Sequence, residues 1–178
     1  MARVSWVQRL YWRYLSKPAA YRDLFLYAID HPVGSILEIG IGDGERLRTL
    51  LPLCKPPAEV PQLRYAALDP FESAGASRMT LKGAYRLLHE RGAKAHLIPG
   101  EPISGVMRVA HTVLPSDLVI IDGHWDNGTE AADVIAKWLP RLSHSRSAIF
   151  ASQSEGGKLV RVATPAGLEV GVVQTKAA

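Results

Sequence analysis

The sequence predicts an α/β fold: a single doubly wound domain with a seven-stranded, mostly parallel sheet and a C-terminal antiparallel hairpin. Three observations predict it. Short apolar runs of strand length alternate along the chain with segments of helical period. Two of these runs, Ile36-Leu37-Glu38-Ile39 and Leu118-Val119-Ile120-Ile121, are nearly continuous, as strands buried on both faces are. The last two runs, 158–163 and 168–175, flank Thr164-Pro165-Ala166-Gly167, a turn suited to a hairpin.

Taken in order, 4–15 reads as an amphipathic helix with Val4, Val7, Tyr11, Tyr14 and Leu15 on one face. It is aromatic and carries Arg3, Arg9 and Arg13, so three roles fit it: packing on the domain, a lid or a substrate or dimer surface, or a helix lying on a membrane surface. Pro18 suits the first turn of a second helix, which Pro32 and Gly34 end. Residues 1–32 are therefore expected to form N-terminal helices and 33–178 the α/β core. The first strand runs into glycines 40, 42 and 44, and Leu47, Leu50 and Leu51 then mark a helix for which Asp43 is a suitable N-cap. A proline-rich connector, 55–61, precedes a second strand, 63–68, that ends at Asp69. Residues 79–91 read as a helix with Leu81, Ala84, Tyr85 and Leu88 inward and Gly92 as C-cap. A third strand, 95–98, stops at Pro99-Gly100-Glu101, and a weak helix covers 103–112. The fourth strand ends in Asp122-Gly123-His124-Trp125-Asp126. A helix over 130–139, with Ala131, Val134, Ile135 and Trp138 inward, leads to the fifth strand, 148–151.

Strand, glycine loop and helix start together make a cradle for a small molecule, because glycines turn tightly and let a ligand approach the backbone. The spacing is Gly-x-Gly-x-Gly, not the Gly-x-Gly-x-x-Gly of dinucleotide folds, and no Gly-Lys-Ser/Thr follows. Glu38, Asp43 and Glu45 surround the loop, with Arg46 the nearest cation. A pyrophosphate there would face carboxylates at close range. A ligand with sulfonium and ammonium charges would be attracted.

The segment Glu38-Ile39-Gly40-Ile41-Gly42-Asp43-Gly44 resembles the E/D-x-G-x-G-x-G motif of class I S-adenosylmethionine-dependent methyltransferases. The resemblance implies a Rossmann-like fold, S-adenosylmethionine as cofactor, and binding of its methionine part by Glu38, Gly40, Gly42, Asp43 and Gly44. It implies strand order 3-2-1-4-5-7-6. An acid at the tip of the second strand suits two ribose hydroxyls, which places Asp69 on the ribose, with Glu72 as the fallback. Glu101, at the third strand tip, borders the adenine. Ile121-Asp122-Gly123-His124 resembles a segment of sugar and macrolide O-methyltransferases, which puts Asp122 beside cofactor and acceptor. His124, a side chain that titrates near neutral pH, is then the candidate catalytic base, with Asp122 as its catalytic neighbour.

No metal is expected. Asp122, His124 and Asp126 are three donors in close succession, but Ser152-Gln153-Ser154 after the fifth strand makes a poor hard-cation site. The expected acceptor is a small-molecule hydroxyl or amine, and the expected enzyme a methyltransferase. A homodimer through the N-terminal helices is an open expectation. A net charge of +4 permits an anionic partner, so a nucleic-acid methyltransferase is an alternative. The absence of an Asn/Asp-Pro-Pro-aromatic string at the fourth strand tells against amino-methylating enzymes of that kind. A non-catalytic S-adenosylmethionine-binding module is a further alternative, favoured by the short stretch after the fifth strand. A nicotinamide-dependent oxidoreductase fits neither the glycine spacing nor the acidic loop. No apolar run approaches the ~20 residues that span a bilayer, and polar residues interrupt every apolar stretch near the N-terminus. With Cys54 the single cysteine, the cytoplasm is the expected compartment.

Overall fold

The computed structural model describes residues 6–75, 78–126 and 128–162. Helix α1 (Trp6–Leu10) continues into a wider π turn, Tyr11–Leu15, closed by Ser16 N donating to Tyr11 O at 2.9 Å. A 3₁₀ turn, Ala19–Tyr21, leads into α2 (Arg22–Asp30). There follow β1 (Ser35–Ile39), α3 (Glu45–Leu50), β2 (Arg64–Asp69), α4 (Leu81–Glu90) and β3 (Lys94–Pro99). Then come α5 (Pro102–Thr112), β4 (Ser116–Ile121), α6 (Glu130–Leu142), β5 (Ser143–Ala151) and β6 (Val160–Val162).

The strands form one sheet in the order β3-β2-β1-β4-β5-β6. The first five are parallel, and β6 runs antiparallel to β5 with Phe150 opposite Arg161. Alternate side chains feed two cores. Ile36, Tyr65, Ile120 and Phe150 pack against Leu24 and Phe25 of α2, Leu47 and Leu50 of α3, and Leu88 of α4. Leu37, Leu68, Val119 and Ile149 pack against Val106 and Val109 of α5 and Ile135 and Leu139 of α6. Burial on both faces is why β1 and β4 read as continuous apolar runs. At the amino edge Asp117 Oδ2 accepts from Gly34 N, Ser35 N and Ser35 Oγ, and Oδ1 pairs with His144 Nε2, joining the starts of β1, β4 and β5.

The structure corrects four expectations. Among the described residues the sheet has six strands, not seven; the expected last strand, 168–175, lies outside them. The strand beside β5 is the sixth in chain order, not the seventh. Residues 152–159 are too few for a parallel crossover, which takes about a dozen or more residues, so the chain returns antiparallel along the free edge.

The inward face expected of the first helix is also different over Tyr11–Leu15, while Val4 and the Val7 side chain lie outside the described residues. Tyr11, Tyr14 and Leu15 are exposed, as is Trp6 at 72%, and Trp12 packs edge-on to Phe25 at 5.5 Å. A π turn takes in one extra residue, which rotates everything after it relative to a regular 3.6-residue period. Tyr85, expected inward on α4, is 58% exposed, while Ala84 and Leu88 carry that helix's packing.

Cys54 is part-buried in this shell, and burial pushes its thiol up to about 12, so it is protonated and unreactive at neutral pH. Among the described residues no helix is long and apolar enough to cross a membrane.

Candidate functional site

The carboxyl ends of β1, β2 and β4 meet where the strand order reverses, the place where open α/β sheets bind ligands. The loop after β1 adopts left-handed backbone at Gly40 (φ 86°), Gly42 (φ 66°) and Gly44 (φ 79°). Gly40 has no alternative: a Cβ there would lie 2.8 Å from the carbonyl oxygen of Asp122. Asp43 is exposed, and its Oδ1 accepts from Glu45 N at 2.9 Å, so it caps α3 from one residue before the positional N-cap, Gly44.

The centre of the site is a buried ion cluster. Glu38, on β1, is fully buried beneath the glycine loop. Arg46, 2% exposed, places Nε 2.5 Å from Glu38 Oε1, Nη1 2.6 Å from Asp122 Oδ2, and Nη2 2.5 Å from the Gly40 carbonyl oxygen. Tyr21, ahead of α2, lays its ring 5.0 Å from that guanidinium. Burial weakens Arg46's hold on its proton, but Glu38 and Asp122 more than restore it, so the guanidinium stays charged. Burial pushes the Glu38 carboxyl up, and Arg46 only partly opposes this. Among the described residues Glu38 Oε2 is buried without a hydrogen-bond partner, so this carboxylate retains capacity for a second cationic donor.

Asp122, by contrast, is engaged through both oxygens. Oδ1 accepts from Ser152 Oγ at 2.7 Å and Gly156 N at 3.1 Å, which ties the loop after β5 to the tip of β4. Asp69 is 0% exposed. Its Oδ2 accepts from Ile41 N at 2.7 Å, Gly42 N at 3.3 Å and Arg78 Nη1 at 3.3 Å, and its Oδ1 from Phe71 N at 2.5 Å. The acid at the tip of β2 therefore grips the glycine loop itself. Arg78 continues to Glu155 at 2.6 Å, linking the chain after β2 to the loop after β5. Met79 N donates to Gly42 O at 2.8 Å, and the Met79 thioether packs over Gly44.

His124 sits partly buried at the rim. Burial lowers its pKa below 6.5, although Glu155, Asp122 and Glu101 pull the other way and Arg78 adds to the lowering. It is neutral at neutral pH, the protonation state a base requires. Glu101 is exposed at the start of α5. Among the described residues no three His, Cys, Asp or Glu side chains converge on a metal position, because Asp122 turns inward to Arg46 while Asp126 faces solvent.

The structure thus brings together Glu38, Gly40, Asp122 and Asp69 around one loop, with His124 at its rim. Sequence reasoning placed Arg46 only as the nearest cation and did not find Arg78, Glu155, Ser152 or Tyr21 here. A signal for Arg46 exists. It lies four residues before Leu50 and shares the buried stripe Arg46, Leu47, Leu50 of α3, where an arginine needs buried acids.

No family model matches the sequence, and no curated protein matches it. Solved structures share its fold. The chain is similar to the O-methyltransferase TomG from Streptomyces achromogenes, solved with SAM (18% identity, TM-score 0.52, 82% of this chain and 63% of that one). It is also similar to an O-methyltransferase from Bacillus cereus, solved with SAH (17%, TM-score 0.54, 76% and 56%). A third similar structure is a methyltransferase from Geobacter sulfurreducens (20%, TM-score 0.51, 77% and 60%). The chain spans less than two thirds of the length of each. The likeness establishes the Rossmann-like methyltransferase fold.

Proposed function

We propose that this chain, which shares the fold of class I methyltransferases, binds S-adenosylmethionine and transfers its methyl group to a hydroxyl or amine of a small molecule. One observation carries the reading. A fully buried acid at the reversal point of the sheet, on the strand that runs into the glycine loop, keeps one carboxylate oxygen without a partner among the described residues. A buried acceptor of this kind favours a cationic donor such as an ammonium group. The residues present fit the cofactor on this ground.

When bound, S-adenosylmethionine supplies a methyl group activated on a sulfonium. The chain binds, orients and excludes water. In this reading Glu38 and the backbone of Gly40, Gly42 and Gly44 hold the amino-acid end, with Asp43 on the outer side of the loop. Asp69, which fixes the loop, binds the ribose, and Glu101 accepts from the adenine amine. Asp122, held by Arg46 and Ser152, positions the tip of β4 and does not itself take a proton. His124 takes the acceptor's proton.

Two measurements test this. In a thermal-shift comparison, S-adenosylmethionine and S-adenosylhomocysteine raise the melting temperature and NAD does not. Gly42→Val abolishes the shift, because φ 66° strains any β-branched residue by about 1–3 kcal/mol and the new side chain enters the cradle beside Glu155. Stabilisation by NAD alone would overturn the cofactor assignment. For His124, an NMR titration should give a midpoint below 6.5, lowered further in Glu155→Gln because that acid raises it. The sign follows from the base role: the neutral form is active, so activity falls as pH drops through that midpoint. A midpoint at or above 6.5 would contradict the placement of His124.

A further inference from the structure

We infer that residues 6–15 form a membrane-surface element, whose outward aromatic stripe and neighbouring cations seat the chain on an anionic phospholipid bilayer. The inference concerns this face alone and does not depend on the methyltransferase reading. Ten large hydrophobic side chains are exposed among the described residues, and five of them, Trp6, Leu10, Tyr11, Tyr14 and Leu15, fall in this one element. The element is held one way round. Trp12 packs edge-on to Phe25, Ser16 Oγ donates to Trp12 O at 2.6 Å, and Arg9 forms an ion pair with Asp30 of α2. With Trp12 anchored inward, Trp6, Leu10 and Tyr14, each four residues from the next, stand outward. Tryptophan and tyrosine suit the boundary between water and hydrocarbon, because each joins a large apolar ring to a hydrogen-bonding group.

Charge decides between the occupants such a face could take. Residues 1–22 carry Arg3, Arg9, Arg13, Lys17 and Arg22 and no acid, so this stretch holds +5 in a chain of net charge +4. A second copy would bring the same charges to the contact, which opposes self-association. A polynucleotide would use the cations but leave Leu10 and Leu15 in water. An anionic bilayer offers both the negative surface and the hydrocarbon. Arg13 joins the two features. Its Cζ lies 5.8 Å from the centre of the Tyr14 ring, and it lines a cleft of about 650 Å³ together with Arg22 and Lys158, with Asp23 the single acid of the described lining. Among the described residues no carboxylate pairs with any of these three cations. A headgroup phosphate therefore meets three cations beside the stripe. The stripe is short, so apolar burial alone holds weakly, and the cations make binding reversible and sensitive to salt.

The experiment is co-sedimentation of the full chain with lipid vesicles. Vesicles of equal parts phosphatidylserine and phosphatidylcholine carry the chain down, and vesicles of phosphatidylcholine alone bind it at least about tenfold more weakly. Trp6→Ser combined with Leu10→Ser weakens binding to the mixed vesicles about tenfold, through lost apolar burial. Arg13→Glu weakens it by about tenfold or more, because reversing a charge at the surface both removes an attraction and adds a repulsion. Both variants keep the melting temperature of the parent chain, since the altered side chains are exposed. Leu114→Ser, an exposed apolar position before β4, leaves vesicle binding unchanged. No binding to either vesicle, equal binding to both, or binding indifferent to the stripe and Arg13 variants would each overturn the inference. So would a stable dimer dissolved by Trp6→Ser with Leu10→Ser, or a single-stranded RNA that binds more tightly and displaces the vesicles.

Discussion

Arg46→Ala should cost about 3–5 kcal/mol of folding stability, because it leaves two buried carboxylates without their cation. For a domain of this size that lowers the melting temperature by roughly 10–15 °C. The guanidinium serves Glu38, Asp122 and the Gly40 carbonyl at once, and all three acceptors lie away from solvent. Arg46→Lys should recover only part of the loss, since a point charge cannot span three acceptors. Arg46→Ala combined with Glu38→Gln should be less destabilised than Arg46→Ala alone, because one uncompensated charge is gone. Thermal unfolding of the three variants checks this order. A loss under about 1 kcal/mol in Arg46→Ala, the range of an exposed pair, would show that the cluster is solvated.

Asp69→Ala should have the next largest effect. Its carboxylate satisfies the N–H groups of Ile41, Gly42 and Phe71 and pairs with Arg78, and the residue is fully buried. Each buried donor left without a partner costs about 1–3 kcal/mol, so roughly 3 kcal/mol is expected after water and local relaxation recover part. The melting temperature should fall by roughly 6–12 °C. S-adenosylhomocysteine binding should weaken in the same variant, since the glycine loop loses its anchor. A variant that kept full stability but lost binding would assign Asp69 to ligand contact alone, contrary to the hydrogen bonds it makes within the chain.

These two residues mark how far the sequence could be read. The strands were legible because burial on both faces leaves an unbroken apolar run, as in β1 and β4, and this holds whatever the partners are. The glycine loop was legible because left-handed backbone at positions 40, 42 and 44 demands glycine. The partners of Glu38 and Asp122 were not legible. Arg46 and Asp122 lie far apart in sequence and meet only when α3 docks beneath the tip of β4. Asp69 was identified as a key acid, but its burial under the loop depends on how 41–42 fold back, which composition does not encode. The inward face expected at Tyr11–Leu15 differs because one π turn shifts the register. The strand order at the far edge followed from the length of 152–159, a feature visible in the sequence but overridden by the expectation of a seventh strand between.

The central claim is that the buried carboxylate beneath the glycine loop waits for a cationic ligand. A crystal structure of the full chain with S-adenosylhomocysteine tests it most directly. The account predicts the ligand's ammonium group within hydrogen-bond distance of Glu38 Oε2, its chain along Gly40 to Gly44, and Met79 displaced from Gly44. Ligand bound elsewhere on the chain, with Met79 still packed on Gly44 and Glu38 Oε2 still without a partner, would contradict it.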